Sequence, residues 1–359
     1  MRILFLGEAI APHLMRWHNS FEKMGWEVMT ASCDFTDSFT GTRLVPRWRR
    51  GPLRYLTLAD QIEKLIAEFK PNIINAHFLP TYGLAAAAVN AHPLVITLWG
   101  SDLLLTGTSG YLRRKRSEYV LKRADLVVMD SQMMVAETFN IHRVPRHLVV
   151  SFGVRKSWHE SGLARELTDS KPLRILSTRR HEPLYDIPTL LRAAQILKTE
   201  GLNFVLTISG GGSLEQQLRS LSRELGLDDI VTFTGYCNDE QLFNLYRSHD
   251  IYVSTAKSDS ASVSLLEAMS QKLYPIVTDI PGNREWLNDD RHFFPISDAV
   301  VLASKIKLGA TLDARVEAHS RYAPALESKG IREQQMKLAD YTFKRLIDDY
   351  AVEHARPHR

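Results

Sequence analysis

Cysteine is scarce in this sequence. Of 359 residues only Cys33 and Cys237 are cysteines, and they lie far apart along the chain. Two isolated cysteines form neither a metal-ligand spacing nor a disulfide framework, which argues against a zinc module and a disulfide-rich secreted scaffold. We therefore expect a reducing, cytoplasmic setting and no metal site.

Long hydrophobic runs are also lacking. The most apolar long segment, residues 83 to 100, is interrupted by polar residues and a proline, so no run reaches the roughly 20 residues that span a bilayer. The apolar start Ile3 to Leu6 ends at Gly7 and Glu8, which is too short for a signal peptide and typical of a buried first strand. We expect any membrane contact to be peripheral.

The overall composition is that of an ordinary globular protein. The chain is 44% hydrophobic and 24% charged, with a formal net charge of +4. This composition excludes disorder, and the length fits two domains of about 150 to 180 residues. No reader motif accompanies the basic residues, so nucleic-acid binding is disfavoured.

Apolar strand patterns alternate with helical patterns through most of the chain. Near-continuous apolar strands separated by helices predict α/β domains, each with a doubly wound parallel sheet covered on both faces. The predicted strands are Arg2–Leu6, Glu27–Ala31, Asn72–Ala76, Leu94–Leu98, Leu126–Met129, Leu173–Ser177, Phe204–Ile208, Ile230–Phe233 and Ile251–Thr255.

The alternation pauses between Phe152 and Pro172, in a stretch of mixed charge without a buried strand. We therefore predict a first Rossmann-like domain at 1–165 and a second at 166–335. Residues 336–359 are expected to form a C-terminal helix and tail that pack back on the first domain. Open α/β sheets bind ligands beyond the carboxyl ends of their strands, which predicts a cleft between the two domains.

One stretch, Ile251 to Leu287, carries the clearest local signal. A short strand is followed by a polar loop, by a helix that starts near Val263 and by a second strand. Unpaired N–H groups and the helix dipole favour an anion at such a start, and small neighbours allow close approach. The spacing of Ser264 and Glu267 also fits a capping box, so a purely structural role for Glu267 stays open.

Two further loops of the second domain follow strands. Arg179 and Arg180 end one strand, and a guanidinium there could clamp a phosphate or simply be a surface charge. Gly210, Gly211 and Gly212 end another. A glycine triplet suits close approach to a ligand, but it is more often a turn, and it lacks the glycine spacing of a dinucleotide fingerprint. The first loop, GEAIAP, lacks that spacing as well, which disfavours a dehydrogenase.

These stretches together resemble the retaining GT-B glycosyltransferases of family 4. The resemblance rests on a pair of acids in DSASVSLLE followed by Ala268 and Met269, and on the segments PIVTDIPGNREWL, ISGGGSLEQQL and VTFTGYCNDEQLFNLYRSHDIYVST. In the first domain RWHNSFEKMGWEV, NAHFLPTYG, LWGSD and ADLVVMDSQ look similar to the family, though more loosely.

The resemblance implies a nucleoside-diphosphate sugar held by the second domain, without a metal or other cofactor. Glu267 would bind the ribose, the amides near Val263 and Ser264 the phosphates, and Arg180 the leaving diphosphate, with Asp259 near the sugar hydroxyls. The remaining donor contacts expected from the family are Arg179, Gly210, Gly211, Tyr236 and Ser262.

The sequence departs from the family at several positions. Asp259 replaces a glutamate, Tyr185 stands where the family has a phosphate lysine, and Trp99 stands where it has a histidine. Either Trp99 packs against the sugar or His77, at a predicted strand end, takes the polar catalytic role. The other residues expected on the acceptor side are Gly7 and Asp102, although the first loop lacks the family's glycine pair.

Two basic segments remain, at Arg47–Arg54 and Arg113–Arg123. They could seat an anionic membrane or a lipid-linked acceptor, or form a solvated face. The expected function is transfer of a sugar to a glycan or lipid-linked acceptor in the synthesis of cell-surface polysaccharide or glycolipid. A sugar-nucleotide epimerase and a non-catalytic nucleotide-binding partner or scaffold are the alternatives.

Overall fold

The computed structural model describes residues 1–37, 39–47, 52–104, 110–169 and 171–355. The chain divides into two compact units. Unit 1 comprises Met1–Phe152 together with Glu333–Arg359, and unit 2 comprises Gly153–Arg332.

Unit 1 is built on a seven-stranded parallel sheet of order β3-β2-β1-β4-β5-β6-β7. Its central strands carry apolar residues on both faces because helices cover both faces, and Ile3 to Leu6 are fully buried. The strands are β1 Arg2–Leu6, β2 Glu27–Ser32, β3 Thr42–Arg43, β4 Ile73–His77, β5 Leu94–Thr97, β6 Leu126–Met129 and β7 His147–Val149. The helices are α1 Pro12–Lys23, α2 Ala59–Phe69, α3 Leu84–Val89, α4 Ser101–Leu104, α5 Tyr111–Leu121 and α6 Gln132–Ile141, with a 3₁₀ segment at Pro52–Leu58 and a π-helical turn at Phe78–Gly83.

Unit 2 repeats the plan with a six-stranded parallel sheet of order β10-β9-β8-β11-β12-β13. The strands are β8 Leu173–Ser177, β9 Phe204–Ser209, β10 Val231–Gly235, β11 Ile251–Ser254, β12 Tyr274–Thr278 and β13 Phe293–Phe294. The helices are α7 Lys156–Leu163, α8 Ile187–Thr199, α9 Glu215–Glu224, α10 Asp239–Ser248, α11 Val263–Ser270, α12 Pro281–Arg284, α13 Ala299–Gly309 and α14 Leu312–Lys329, with 3₁₀ turns at Pro183–Tyr185 and Asp290–His292.

The last helix, α15 (Arg332–Ala355), lies almost entirely in unit 1. The Trp26 indole N–H donates to Asp340 at 2.6 Å, and the Trp17 and Phe343 rings stack with centroids 6.0 Å apart. The units separate after Phe152, upstream of the boundary expected at 165, because α7 packs on α11 of unit 2. Among the described residues, no helix is both long and apolar enough to cross a membrane.

The predicted fold class is confirmed. Each predicted strand is present within a residue or two, and both sheets are parallel throughout. The pattern did not predict the edge strands β3, β7 and β13, because two or three residues are too few to show a period. In each sheet the strand order reverses at one place, between β1 and β4 and between β8 and β11, and ligands of open α/β sheets bind at such a switch point.

Candidate functional site

The switch point of unit 2 brings together two loops that are distant in sequence. One follows β8 and the other follows β11, and these strands are neighbours in the sheet. The Lys257 amide donates to the Leu184 carbonyl at 2.9 Å and the Thr255 hydroxyl donates to the Tyr185 carbonyl at 2.6 Å, so the two loops are hydrogen-bonded to each other. The predicted donor-binding residues of both loops therefore share one site.

Arg179 is the buried cation of this site, with only 8% of its surface exposed. Its guanidinium donates to the hydroxyls of Ser262 and Ser264 at 2.7 and 2.6 Å and to the Asp259 carboxylate at 2.6 Å. Burial works against the charge, but the neighbouring Asp259 outweighs it and raises the pKa of Arg179. The guanidinium is therefore permanently charged and fixed at the start of α11. Its Nε atom is buried and has no partner among the described residues.

Arg180 does not occupy the position that the sequence suggested. Its side chain is 65% exposed, and its closest ionic partner is Glu182 at 3.9 Å. The resemblance assigns the leaving diphosphate to Arg180 and only a secondary contact to Arg179. The structure instead buries Arg179 and exposes Arg180, because adjacent residues at a strand end point in different directions and the pair itself carries no signal of which one points inward.

The start of α11 has the geometry of an anion site. Ser262 is the N-cap, and its side chain accepts from the Leu265 N–H. Val263 and Ser264 are the first two helical residues, so their N–H groups have no acceptor within the helix. They lie at the positive end of the helix dipole beside the charged Arg179, which favours a phosphate at this position.

Glu267 is not a capping residue. The helix begins at Val263, so Glu267 is its fifth residue, two beyond the position that a capping box with Ser262 requires. Its carboxylate is buried and accepts a hydrogen bond from the Tyr246 hydroxyl at 3.1 Å, and that hydroxyl is 2.7 Å from the Thr178 Oγ. A carboxylate fixed in this way, in the first turns of the same helix, is suited to accept hydrogen bonds from ligand hydroxyls.

The glycine triplet packs directly on the Arg179 loop. A Cβ atom on Gly210 would lie 2.6 Å from the Arg179 carbonyl oxygen, and one on Gly212 would lie 2.5 Å from that of His181. Gly210 also has φ +134, which L side chains rarely adopt. The Gly211 carbonyl accepts from the His181 N–H and from the hydroxyl of Tyr236, a residue that is 72% exposed. The triplet thus fixes the neighbouring loop whether or not it also touches a ligand.

Tyr185, the residue at the family's lysine position, lies under the arginine rather than replacing the lysine charge. The Arg179 guanidinium is 4.5 Å from the centroid of the Tyr185 ring. A second cation does occur in the site, on the other loop: Lys257 Nζ lies 3.6 Å from Asp186 and its side chain is 43% exposed. Lys257 was not among the predicted site residues. Its position three residues after the buried strand β11 was the signal that could have found it.

In unit 1 the expected catalytic residue His77 is a core residue. It is fully buried, and the Trp99 indole N–H donates to its Nδ1 at 3.1 Å. The rings of Phe5 and Trp17 also lie against it, with centroids 5.7 and 5.5 Å away. Burial lowers the pKa of His77 to about 3, so the imidazole is neutral at physiological pH.

Trp99 and Gly7 complete this aromatic cluster. A Cβ atom on Gly7 would lie 3.1 Å from the Cβ of His77, so the first loop runs against the histidine and leaves no space for a side chain. Trp99 directs its indole N–H at His77, which favours a packing role for the pair over a catalytic role for His77.

Asp102 is likewise internal. Its carboxylate is fully buried and accepts from the backbone N–H groups of Trp99 and Leu79, each at 3.0 Å. It therefore ties the loop after β5 to the turn after β4. Burial raises the pKa of Asp102 to about 6, against the stabilising effect of these backbone hydrogen bonds.

This shift predicts a pH-dependent stability of unit 1. A raised carboxyl pKa means that the folded state holds the proton up to about pH 6 while the unfolded chain releases it near pH 3.8. The contribution of Asp102 to stability is therefore greatest below this window and falls as the pH rises through it, by about 3 kcal/mol. We expect Asp102→Asn to remove this slope, as measured by hydrogen exchange of the unit 1 strands at several pH values. Parallel pH profiles for the two proteins would contradict it, and the unit 2 strands are the internal control.

A polar cluster at the carboxyl ends of β1 and β2 was not predicted. Its centre is Asp34, which accepts from Arg54 at 2.7 Å and from the hydroxyls of Tyr55 and Tyr82 at 3.0 Å each. Glu8 lies beside it, partly buried, and its carboxylate makes no hydrogen bond or ion pair among the described residues. Burial and then the charge of Asp34 raise the pKa of Glu8. Arg54 had been assigned to a basic surface segment, and this internal pairing corrects that assignment.

The structure describes only part of the first basic segment, Arg47–Arg54, and all of the second, Arg113–Arg123. In the first segment Arg47 pairs with Asp60, and Trp48, Arg49, Arg50 and Gly51 lie outside the described residues. The second segment forms α5, and its first turn is exposed. Across the described parts of the chain, no group of three or more His, Cys, Asp or Glu side chains is placed to hold a metal ion.

Comparisons with known proteins find family models and a solved structure that resemble this chain. Residues 163–322 match the model described as Glycosyl transferases group 1, and residues 2–131 match the model described as Glycosyl transferase 4-like. A solved structure, Anabaena Alr3699/HepE in complex with UDP and glucose, aligns over 96% of this chain and 99% of its own, with a TM-score of 0.77 at 16% identity. The chain has the fold of the GT-B glycosyltransferases.

Two curated glycosyltransferases align with this chain over part of their length. The amylovoran biosynthesis glycosyltransferase AmsK of Erwinia amylovora is 25% identical over 245 residues, which cover 63% of this chain and 59% of AmsK. The O-antigen chain mannosyltransferase C of Escherichia coli is 25% identical over 295 residues, which cover 78% of this chain and 75% of that protein. The chain thus aligns with about three fifths of the length of AmsK. The unit 2 site residues, from Arg179 to Glu267, lie within the segment 163–322 that matches Glycosyl transferases group 1.

Proposed function

We propose that this protein is a retaining glycosyltransferase of family 4 that moves a sugar from a nucleoside diphosphate to a glycan or lipid-linked acceptor in cell-surface polysaccharide or glycolipid synthesis. The observation that carries the proposal is the buried Arg179 at the start of α11, where a fixed guanidinium and two open backbone N–H groups face the same switch point. The hexosyl type of the transferred sugar and retention of its configuration are supported by the family resemblance.

The site can stabilise the group that leaves in this reaction. The bond between the anomeric carbon and the phosphate oxygen breaks, the nucleoside diphosphate departs with the electron pair, and the acceptor oxygen forms the new bond and loses its proton. Arg179 and the amides of Val263 and Ser264 would bind the growing negative charge, and preorganised donors of this kind can lower such a barrier substantially. Lys257 would add a second cation. Glu267 would accept from the ribose hydroxyls.

Asp259 is assigned a double role. In the structure it balances the buried charge of Arg179 at 2.6 Å, and it is 21% exposed. One carboxylate oxygen accepts from Arg179 and the other from the Ser260 N–H. A sugar hydroxyl that donates to Asp259 would draw the carboxylate away from Arg179 and leave the guanidinium to the diphosphate.

The comparisons support the donor and the acceptor class to different degrees. The Anabaena structures hold UDP, UDP-glucose, or UDP with glucose, which supports a nucleotide-sugar donor here. The relatives named for amylovoran and O-antigen synthesis support a polysaccharide or lipid-linked glycan as acceptor. We assign the acceptor to unit 1, where Glu8 offers a partly buried carboxylate to its hydroxyls. A cytoplasmic setting, peripheral to a membrane, follows from a lipid-linked acceptor.

One experiment separates this proposal from its alternatives. Purified protein is incubated with a panel of UDP-, GDP-, ADP- and dTDP-sugars, with and without a lipid extract that contains endogenous acceptors. A transferase releases nucleoside diphosphate much faster when the extract is present. Isomerised donor without extract would indicate an epimerase, and nucleotide binding without any turnover would indicate a non-catalytic partner. Either result would refute the proposal.

We also expect the reaction to need no metal ion. The charge on the leaving diphosphate is met by Arg179, Lys257 and the start of α11, which supply the electrostatic stabilisation that a divalent ion provides elsewhere. Donor turnover should therefore be unchanged within about twofold by excess EDTA. A loss of turnover that added magnesium restores would show that a metal takes part.

A further inference from the structure

The first turn of α5 projects from unit 1. Five consecutive residues, 111 to 115, are exposed. Successive helical residues are about 100° apart, so five of them point in every direction around the axis. Exposed side chains therefore surround this turn on all sides. We call residues 111–115 the α5 tip.

The remainder of the helix anchors the tip. Ser117, Val120 and Leu121 are fully buried, and the latter two belong to the hydrophobic core of unit 1. The Arg114 side chain donates to the Asn140 carbonyl at the end of α6. The exposed tip is therefore continuous with a helix that is anchored in the core of unit 1.

The tip exposes large apolar side chains. Tyr111 is 73% exposed and Leu112 is 80% exposed, the highest value among the large hydrophobic residues described. A single exposed leucine is common on soluble proteins. Two adjacent large apolar side chains, Tyr111 and Leu112, on an exposed turn are suited to insertion, because both can enter an apolar layer without any change in the backbone.

The same helix is strongly basic. Between Tyr111 and Arg123 the cations are Arg113, Arg114, Lys115, Arg116, Lys122 and Arg123, and the single acid is Glu118. Glu118 pairs with both Lys115 and Lys122, at 2.8 and 2.7 Å. Arg114 donates to a neutral carbonyl, so no carboxylate balances its charge there. The segment from Tyr111 to Arg123 therefore carries a clear excess of positive charge.

We propose that the α5 tip docks on an anionic lipid bilayer, with Tyr111 and Leu112 in the interfacial layer and the arginines against headgroup phosphates. Tyrosine is favoured at membrane interfaces and leucine below them, while basic residues around them are attracted by anionic lipid. A polyanion such as RNA would use the arginines alone and would gain nothing from an exposed leucine. The combination of apolar tip and basic surround favours a bilayer.

Neither the basic residues nor the exposed apolar side chains suffice alone for stable attachment to a bilayer. Each Lys or Arg near an anionic surface strengthens binding by about fivefold, and full burial of a leucine side chain strengthens it by roughly tenfold to a hundredfold. Stable attachment therefore needs both. It should weaken as salt screens the charges.

The test is sedimentation of the full-length protein with vesicles of phosphatidylglycerol and phosphatidylcholine in equal parts, and with pure phosphatidylcholine vesicles. We expect binding to the anionic vesicles only. The double variant Tyr111→Ser/Leu112→Ser keeps the net charge and should bind at least about tenfold more weakly. The double variant Arg113→Glu/Arg114→Glu should abolish binding.

The matched control is Leu338→Ser/Tyr341→Ser, which removes the same two side-chain types from exposed positions on α15. It should bind the vesicles as the wild type does. The proposal is wrong if the wild type does not sediment with anionic vesicles, if the α5 and α15 serine variants bind alike, or if heparin binding depends on the arginines while vesicle binding is indifferent to Tyr111 and Leu112. Because no turnover is measured, failure here leaves the proposed enzymatic function intact.

Discussion

Replacing Arg179 by methionine is expected to lower donor turnover by about 10² to 10³, while replacing its neighbour Arg180 by methionine should change turnover by less than about threefold. Methionine keeps the apolar stem and removes the guanidinium. At position 179 that guanidinium is buried at the start of α11, whereas at position 180 it is 65% exposed. The measurement is release of nucleoside diphosphate from the best donor of the panel.

The adjacent pair provides its own control for charge, since both variants lose one positive charge. A second control addresses folding, because removing Arg179 leaves Asp259 without its ionic partner and loss of one member of a buried pair is destabilising. Arg179→Lys keeps the charge but cannot donate to Ser262, Ser264 and Asp259 together, so it should fold and still lose most of the turnover. Equal activity of the Arg179→Met and Arg180→Met variants would contradict the assignment.

Replacing Glu267 by glutamine is expected to weaken binding of the preferred nucleoside diphosphate by roughly tenfold to a hundredfold. A carboxylate offers about four acceptor sites on its two oxygens, and the Tyr246 hydroxyl donates to one of them. Glutamine leaves a single acceptor and turns an N–H₂ group toward the ribose, so at least one charge-assisted hydrogen bond is lost, a change of about 1.5 to 3 kcal/mol. Calorimetry with the nucleotide measures this directly.

The ribose assignment can be separated from a general effect on the site. Wild-type protein should bind the 2′,3′-dideoxy form of the same nucleotide as weakly as the Glu267→Gln variant binds the normal form. In the variant, the dideoxy form should bring little further loss, because the two changes remove the same interaction. Tyr246→Phe serves as the structural control, since it removes the hydrogen bond to Glu267 but keeps the charge. If the losses of affinity from the Glu267→Gln substitution and from the dideoxy nucleotide were additive, a contact between Glu267 and the ribose would be excluded.

The fold was largely predictable because each of its signals is local. The strand Arg2–Leu6 is apolar on both faces, and a helix with period 3.6 follows it, which together specify a parallel sheet with two covered faces. The switch points follow from that architecture. The prediction that residues after β8, β9 and β11 converge was correct for this reason, although it could not give the distances.

The interior of the site was less predictable because it depends on side-chain direction. Arg179 and Arg180 have the same chemistry, and only the path of the backbone decides that one is buried and the other exposed. His77 and Asp102 were expected to act on a ligand, but both are fully buried and hold the unit 1 loops. A polar residue after a strand can serve either purpose, and sequence pattern alone does not distinguish them. The Asp34 cluster was missed because its members come from separate segments of the chain.

The central claim is that a nucleotide binds to unit 2 at the loops after β8, β9 and β11. Hydrogen exchange of the full-length protein, with and without the nucleoside diphosphate that binds best in the panel, tests this most directly. The account predicts slower exchange in the peptides that contain Arg179 to Tyr185, Gly210 to Leu214 and Ser260 to Glu267, with no comparable protection elsewhere in unit 2. Saturating nucleotide that leaves these peptides unchanged and protects a different segment would contradict it.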